Sequence, residues 1–423
     1  MTLQPTVAAP PVAIRARASP VAAFGSRDFR VFWAGFVAYT ISNGIQTFGI
    51  GWLTVQTAAR DGVPERGALY LGLMGLAAAI PGLGLGLFGG VIADRRDRRA
   101  LLVLSQAGFA GAALVLALLA FTERVGLPWL LAIAAFSSAV SSFWVPARQA
   151  IQPGLVGEER LMSAFGLNAL ALNLGALFGP LVGGALIVPF GIAGVLLVPA
   201  ILFVLVALVF LVLAPRPVDV SARRRNVLSS LAEGVRYVGD EPTVRWLMLL
   251  FGVATLLVRP YSDLLPAVAR SIGADAVGLS QLVAAVGAGA LLAGFVTASS
   301  DSIPRKGLFV GAGFVGAGLA LAVLATRTDI ASAVALVAVL SFFLMTSSGV
   351  IGALLQVATP DQLRGRVIGV QSLLIQGGMP LGTLTLGAVG ASIGIGPALL
   401  IAGLGVAAFS AVSLALVAVL RER

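Results

Sequence analysis

The sharpest chemical signal in this 423-residue sequence is a cluster of three residues, Arg259, Tyr261 and Asp263, set inside an apolar run. A charged side chain in the middle of a membrane helix costs roughly 2.5 to 3.5 kcal/mol on insertion scales, so charges kept there point to function. Arg259 and Asp263 are four residues apart, which on a helix puts them on one face. In a span starting near Trp246 they stand about 20 and 26 Å along the axis, in its outer half. Such a pair can exchange a proton at Asp263 while Arg259 and a bound solute compete for the carboxylate; it can equally be a salt bridge that only orients the helix. The other polar candidates are neutral: Asn43 and Gln46, then Ser137, Ser138, Ser141 and Ser142 with Trp144, then Asn168 and Asn173, and finally Gln371 and Gln376. Amide, hydroxyl and aromatic contacts of this kind suit a large, amphipathic, mostly uncharged solute, although each side chain could also hydrogen-bond helix to helix. Arg148 reads as an interfacial or gate residue. With no Cys and no His, the chain offers no disulfide, thiolate, imidazole ligand or Ser-His triad. It has no G-x-x-x-x-G-K-[ST] loop and no paired carboxylates within a span, so neither enzyme activity nor direct ATP use is expected. No cofactor or metal is expected either.

The elements that must position these residues are set by composition: 58% of the chain is hydrophobic and 11% charged, against about 25% charged in soluble domains. Apolar runs of about 20 residues predict twelve membrane helices, near 31–58, 68–93, 100–122, 128–147, 162–188, 191–213, 246–269, 276–299, 307–326, 331–356, 367–392 and 395–420. The fold class is therefore all-α, in two six-helix bundles. With both termini cytoplasmic, and the Arg259–Asp263 pair counted outside, the inside holds 22 of the 28 Lys and Arg residues and 12 of the 18 acids. The whole net charge of +10 then lies on one side, the positive-inside pattern, which argues against a nucleic-acid partner. Residues 1–28 read as a polar cytoplasmic tail without a cleavable signal, 29–213 and 246–423 as the two bundles, and 214–245 as the linker between them. In the linker, Ser230 and Glu233 suggest a capping box opening a short amphipathic helix, with Arg223, Arg224 and Arg225 among lipid headgroups.

The two halves repeat. At an offset of 203 residues Gly166 matches Gly369, Gly175 matches Gly378, Gly179 matches Gly382, and Gly184 matches Gly387, with Asn168 and Asn173 over Gln371 and Gln376. Duplication makes the fifth and eleventh spans equivalent, as in transporters that enclose a midplane site between repeats.

Two motifs carry more than packing. The hairpin GGVIADRRDRR contains a G-x-x-x-D-R-x-x-R-R pattern in Gly90, Asp94, Arg95, Arg98 and Arg99, with Asp97 inside it. The fifth span carries Gly166, Gly175, Gly179, Pro180, Gly183 and Gly184 in a G-x8-G-x3-G-P-x2-G-G pattern, which permits close helix contact and predicts a kink at Pro180. The first resembles the loop-2/3 signature of the major facilitator superfamily and the second the span-five motif of its proton-coupled antiporters. The segments from Phe29, from Leu231 and from Thr359 (TPDQLRGRVIGV) resemble its enterobactin-exporter and macrolide-efflux branch. That resemblance implies a cytoplasmic gate latched when the protein faces outward, with Asp94 meeting the start of span eleven near Asp361, Arg364 and Arg366. The second-half copy, Asp301, Arg305, Lys306 and Gly307, has decayed.

Together these readings give a secondary-active exporter of hydrophobic or amphipathic small molecules such as a drug, macrolide or siderophore. The resemblance implies proton antiport by alternating access, from a monomer in the inner or plasma membrane. Its partners are then the solute, protons and the lipid bilayer. The absence of an acid from spans one, four and five weighs against the proton coupling. Import or lipid flipping on the same fold, or a transport-dead sensor or scaffold, are the alternatives.

Overall fold

The computed structural model describes residues 19, 21–95, 97–214, 227–298 and 306–416. Long apolar sequences without a polar face leave a backbone only one way to satisfy its amides in lipid, and the described residues form helices without a strand. The first half contains α1 (Arg27–Arg60), α2 (Gly67–Arg95), α3 (Arg98–Phe121), α4 (Leu127–Val156) and α5 (Leu161–Leu211). At 51 residues α5 is too long for one crossing; it is two spans meeting at Gly191, whose φ of 63° and ψ of 178° leave the helical region. Pro180 lies within continuous helix, and the break between the two spans sits at Gly191, at the boundary expected between 188 and 191. The second half contains α7 (Pro242–Leu257), α8 (Tyr261–Ser271), α9 (Ala276–Ala298), α10 (Lys306–Leu324), α11 (Ile330–Ala358), α12 (Asp361–Leu373), α13 (Met379–Ile393) and α14 (Ile395–Leu416). Here α7 and α8 form one broken span. So do α12 and α13, joined through a π-helical turn at Leu374–Gly378.

Twelve spans result. Among the described residues ten stretches are long and apolar enough to cross a membrane by themselves, α5 counting once. The remaining one, α1, has its apolar run interrupted by Thr40, Ser42, Asn43, Gln46 and Thr47. The helices are inside-out by soluble standards. In the second part of α5 the stripe Ile201, Val204, Leu205 and Leu208 is exposed, where lipid would cover it, while Ala200, Phe203, Val206 and Phe210 pack inward.

Ser230 lies inside the described linker helix α6 (Val227–Asp240) rather than ahead of it, and the expected capping box does not form. Glu233 is instead ion-paired with Arg366 of α12. A side chain on Gly234 would run into the Arg366 carbonyl, and Tyr237 donates from Oη to the Ala358 carbonyl at 3.3 Å. Three contacts therefore fasten α6 to the second half. Burial raises the Tyr237 phenol above its ordinary value.

Let the proximal face be the one where α1 begins and the distal face the other. Glycines separated by whole helical turns lie on one side of a helix, which makes them probes of the seam between the halves. Gly72 and Gly86 in α2, Gly184 and Gly166 in α5, and Gly287 and Gly294 in α9 are such pairs. At each distal member an added Cβ would strike the other half: Gly72 meets Thr383 and Leu384, Gly184 meets Ser280, and Gly287 meets Leu177. At each proximal member nothing among the described residues lies within 4 Å. The halves are closed together distally and part proximally, leaving a cleft open on the proximal side. The largest apolar cluster reflects the closure, running from Phe251 and Leu265 of the second half to Phe48, Val55 and Leu71 of the first.

Candidate translocation pathway

The 203-residue repeat has a counterpart in packing. Gly175 and Gly179 of α5 press on Thr40, Ile41 and Gly44 of α1; Gly378 and Gly382 press on Thr255, Leu256 and Pro260 of the seventh span. Thr40 and Ile41 precede Thr255 and Leu256 by 215 residues, as Gly51 precedes Pro266, and those last two meet each other across the seam. One turn further, Gly184 turns to α9 of the opposite half and Gly387 to Ala68 and Leu69 of α2. The fifth-span glycines therefore contact a helix of their own half and, one turn on, the opposite half. Gly183 packs on Phe48, and Gly166 faces the open side.

At the same offset, Arg259 and Asp263 stand where the first half has Gly44 and Phe48, so the charges are a departure from symmetry. Arg259 lies in the 258–260 interruption between α7 and α8, not on a continuous helix as the spacing suggested. Asp263, in the first turn of α8, accepts a hydrogen bond from Thr383 Oγ1 at 3.2 Å, and among the described residues no ion pair joins it to Arg259. The salt-bridge reading is thereby replaced. Thr383 stands in the second turn of α13, just past the π-turn, so the carboxylate bridges the two discontinuous spans. Interrupted helices and π-turns concentrate at transport and binding sites because they free backbone groups and reorient side chains. No spacing or composition signal marked Thr383.

Other candidates separate into wall and core. Asn43 and Thr47 are exposed on α1, two turns and one turn from Gly51, and so face the space between the halves. Gln376 is exposed within the π-turn and Gln371 half-buried before it; i-to-i+5 pairing there draws both toward one face. Ser138 points at Gly82 of α2, Ser142 donates to the Ser138 carbonyl, and Ser141 is half-buried. Trp144 and Tyr261 are 1% exposed, each inside its own half, and Gln46 and Asn168 are also buried; these four do not reach the wall. Trp144 instead packs on Tyr39 and Phe210. Asn173 is half-buried in α5.

At the proximal hairpin, the side chains of Gly90, Asp94 and Arg95 lie outside the described residues, as do residues 299–305, which hold Asp301 and Arg305. Asp97, the residue that departs from the usual motif, caps α3 by accepting from the Arg99 amide at 3.0 Å. Arg98 donates to the Ala150 carbonyl at 2.9 Å and Arg99 to that of Leu211, both within the first half. Arg364 pairs with Asp361 at 2.7 Å and with the Gln356 carbonyl, within the second. Each of these contacts lies within one half.

A family model described as transmembrane secretion effector matches residues 18–422. The chain belongs to that family. Transmembrane secretion effectors of this sort are major facilitator transporters, and this one is a multi-pass membrane secondary transporter, not an enzyme. It is 28% identical over 332 residues to the enterobactin exporter EntS of Escherichia coli O1:K1, covering 77% of this chain and 74% of that one. The enterobactin exporter of Salmonella choleraesuis is 29% identical over 77% of this chain and 75% of its own length. Among solved structures, a D-xylose-proton symporter superimposes with a TM-score of 0.71 at 14% identity, over 96% of this chain and 100% of that one. An inward-facing, unoccupied bacterial homolog of the human lysosomal transporter Spinster gives 0.68 at 15% identity, over 94% and 96%. These likenesses carry the fold.

Proposed function

We propose that this transmembrane secretion effector exports hydrophobic or amphipathic small molecules in exchange for protons, working as a monomer with both termini in the cytoplasm. Residues 29–213 and 246–423 rock against each other, with 214–245 as the tether. The proximal face is then cytoplasmic, and the cleft is open to solute from inside. The observation that carries the coupling is Asp263 with Thr383, a carboxylate shared by two interrupted spans near the distal seal. A proton arriving from outside neutralises Asp263 and loosens its hold on α13; on return to the inward-open state, loss of that proton restores the contact. Arg259, in the adjoining interruption, is the nearby positive charge in the same span. The likeness to enterobactin exporters supports the outward direction.

The test is accumulation of a macrolide, a cationic dye and a catecholate siderophore in efflux-deficient cells with and without the protein, before and after collapse of the proton gradient. Gradient-dependent lowering of at least one compound is expected, and Asp263→Asn, at equal membrane abundance, should abolish that dependence. Full proton-driven export by Asp263→Asn would remove Asp263 from the coupling step.

A further inference from the structure

Arg148 is the charged side chain the proposed cycle leaves unused. It lies eight residues, about 12 Å, from the proximal end of α4, and its guanidinium stacks on the Phe36 ring at 4.6 Å. Tyr39 is the titratable neighbour beside it, its own ring 4.5 Å from Trp144. No carboxylate among the described residues lies within ion-pair distance of Arg148. Asp263 stands about 12 Å from the distal end of α8, on the far side of the membrane.

Where the guanidinium points follows from α1. Phe36, Asn43, Thr47 and Gly51 fall within about one quadrant of that helix at 100° per residue. Gly51 meets Pro266 of the opposite half, and Asn43 and Thr47 on the same side are exposed, so this quadrant looks into the cleft. Phe36 is fully buried, yet it is the ring over which Arg148 lies. The cation therefore sits on the cleft wall, above an aromatic shelf, in the part that is open proximally. More than two turns from the ends of the spans, the described residues carry Arg148, Arg259 and Asp263, a net charge of +1. A positive group held in low dielectric without a counter-ion attracts an anion strongly, and a planar guanidinium offers it paired donors.

We infer that Arg148, with Phe36 and Tyr39, forms an entry site for an amphipathic organic anion, its acidic group on the guanidinium and its apolar body in the cleft beside Asn43. This rests on the exporter reading for its direction and names the substrate class: anionic rather than the uncharged solute that the neutral wall suggested. Tyr39 also offers a hydroxyl to the anion.

The chain has no Cys, so a single Asn43→Cys reports on this wall directly. Protection of that thiol from maleimide is measured in the full-length protein in nanodiscs, with naphthalene-2-sulfonate and the neutral naphthalene-2-methanol as probes. The sulfonate should protect at a concentration at least tenfold lower. In the Arg148→Gln background that preference should vanish while protection by the alcohol stays, and Arg148→Lys should keep part of it. Equal protection by both probes with Arg148 present, or an undiminished preference in Arg148→Gln, would overturn the site. Should Arg148→Gln fail to fold, the two-probe comparison and Arg148→Lys still decide. Binding without gradient-driven export of the sulfonate would sink the exporter reading and leave the site standing; export with no charge preference would do the reverse.

Discussion

Asp263 draws its meaning from one hydroxyl. A carboxylate in a membrane span is expensive to keep, and among the described residues its side-chain hydrogen-bond donor is Thr383, contributed by a span 120 residues away. Hydrogen bonds to charged groups contribute about 1.5 to 3 kcal/mol, so removing this one should cost roughly tenfold or more in coupled transport. Thr383→Val is accordingly expected to lower proton-driven export by about that factor, and Thr383→Ser, which keeps the donor, to retain most of it. Everted-vesicle assays at fixed gradient measure both. Equal rates in Thr383→Val and the parent would mean that the contact is structural only. The sequence marked Asp263 through its cost alone; a threonine in a membrane helix carries no such mark, because its hydroxyl can bond to its own backbone, and Thr383 shares its one proton between the Met379 carbonyl at 2.9 Å and Asp263 at 3.2 Å.

Helices divide the labour along their length. In α5 and α13 small residues hold the partner helix of the same half, then one turn on meet the other half, so a single helix joins its own bundle and closes the seam. The linker helix α6 is attached through Glu233 to Arg366, through Gly234 to the backbone of α12, and through Tyr237 to the end of α11. It should therefore travel with the second half. Arg366→Glu alone places two acids together and should slow transport several-fold; Glu233→Arg with Arg366→Glu should recover most of the loss. A double-mutant cycle on transport rate measures the coupling, and purely additive losses would show that the pair carries none. The amphipathic pattern of α6 was legible in sequence because apolar period alone reveals it, while its partner was not, since that depends on what α12 presents.

At the scale of the molecule, the distal seal is made of backbone-close glycine contacts and the proximal cleft is open. A side chain at Gly387 would collide with the Ala68 carbonyl. Gly387→Val should therefore bias the protein toward the distally open state; a shift of about 1.4 kcal/mol changes the population ratio tenfold. With Ser280→Cys as reporter, buried now against Gly184, maleimide labelling should rise about tenfold in the Gly387→Val background. Unchanged labelling would mean that the seam yields by local repacking rather than by opening.

What the sequence determined by itself was everything that depends on local chemistry: twelve apolar spans, the 203-residue repeat, the packing glycines, and the high cost of Arg259 and Asp263. The spans near 162–188 and 191–213 were separable because an apolar run of this length exceeds one crossing; that the break falls on Gly191 is a fact of the backbone. Only the tertiary structure decided which polar residues line a surface. Trp144 and Asn168 share their helices with residues that do, and no periodicity tells a cleft-facing side from a buried one when both are apolar. It also decided that Asp263 accepts a hydrogen bond from Thr383 and, among the described residues, forms no direct ion pair with Arg259, because Pro260 and the interruption it occupies turn a four-residue spacing away from the helical geometry that would have joined them. The positive wall around Arg148 belongs to the same class: it required knowing which ring lies beneath a guanidinium and which acids lie out of its reach.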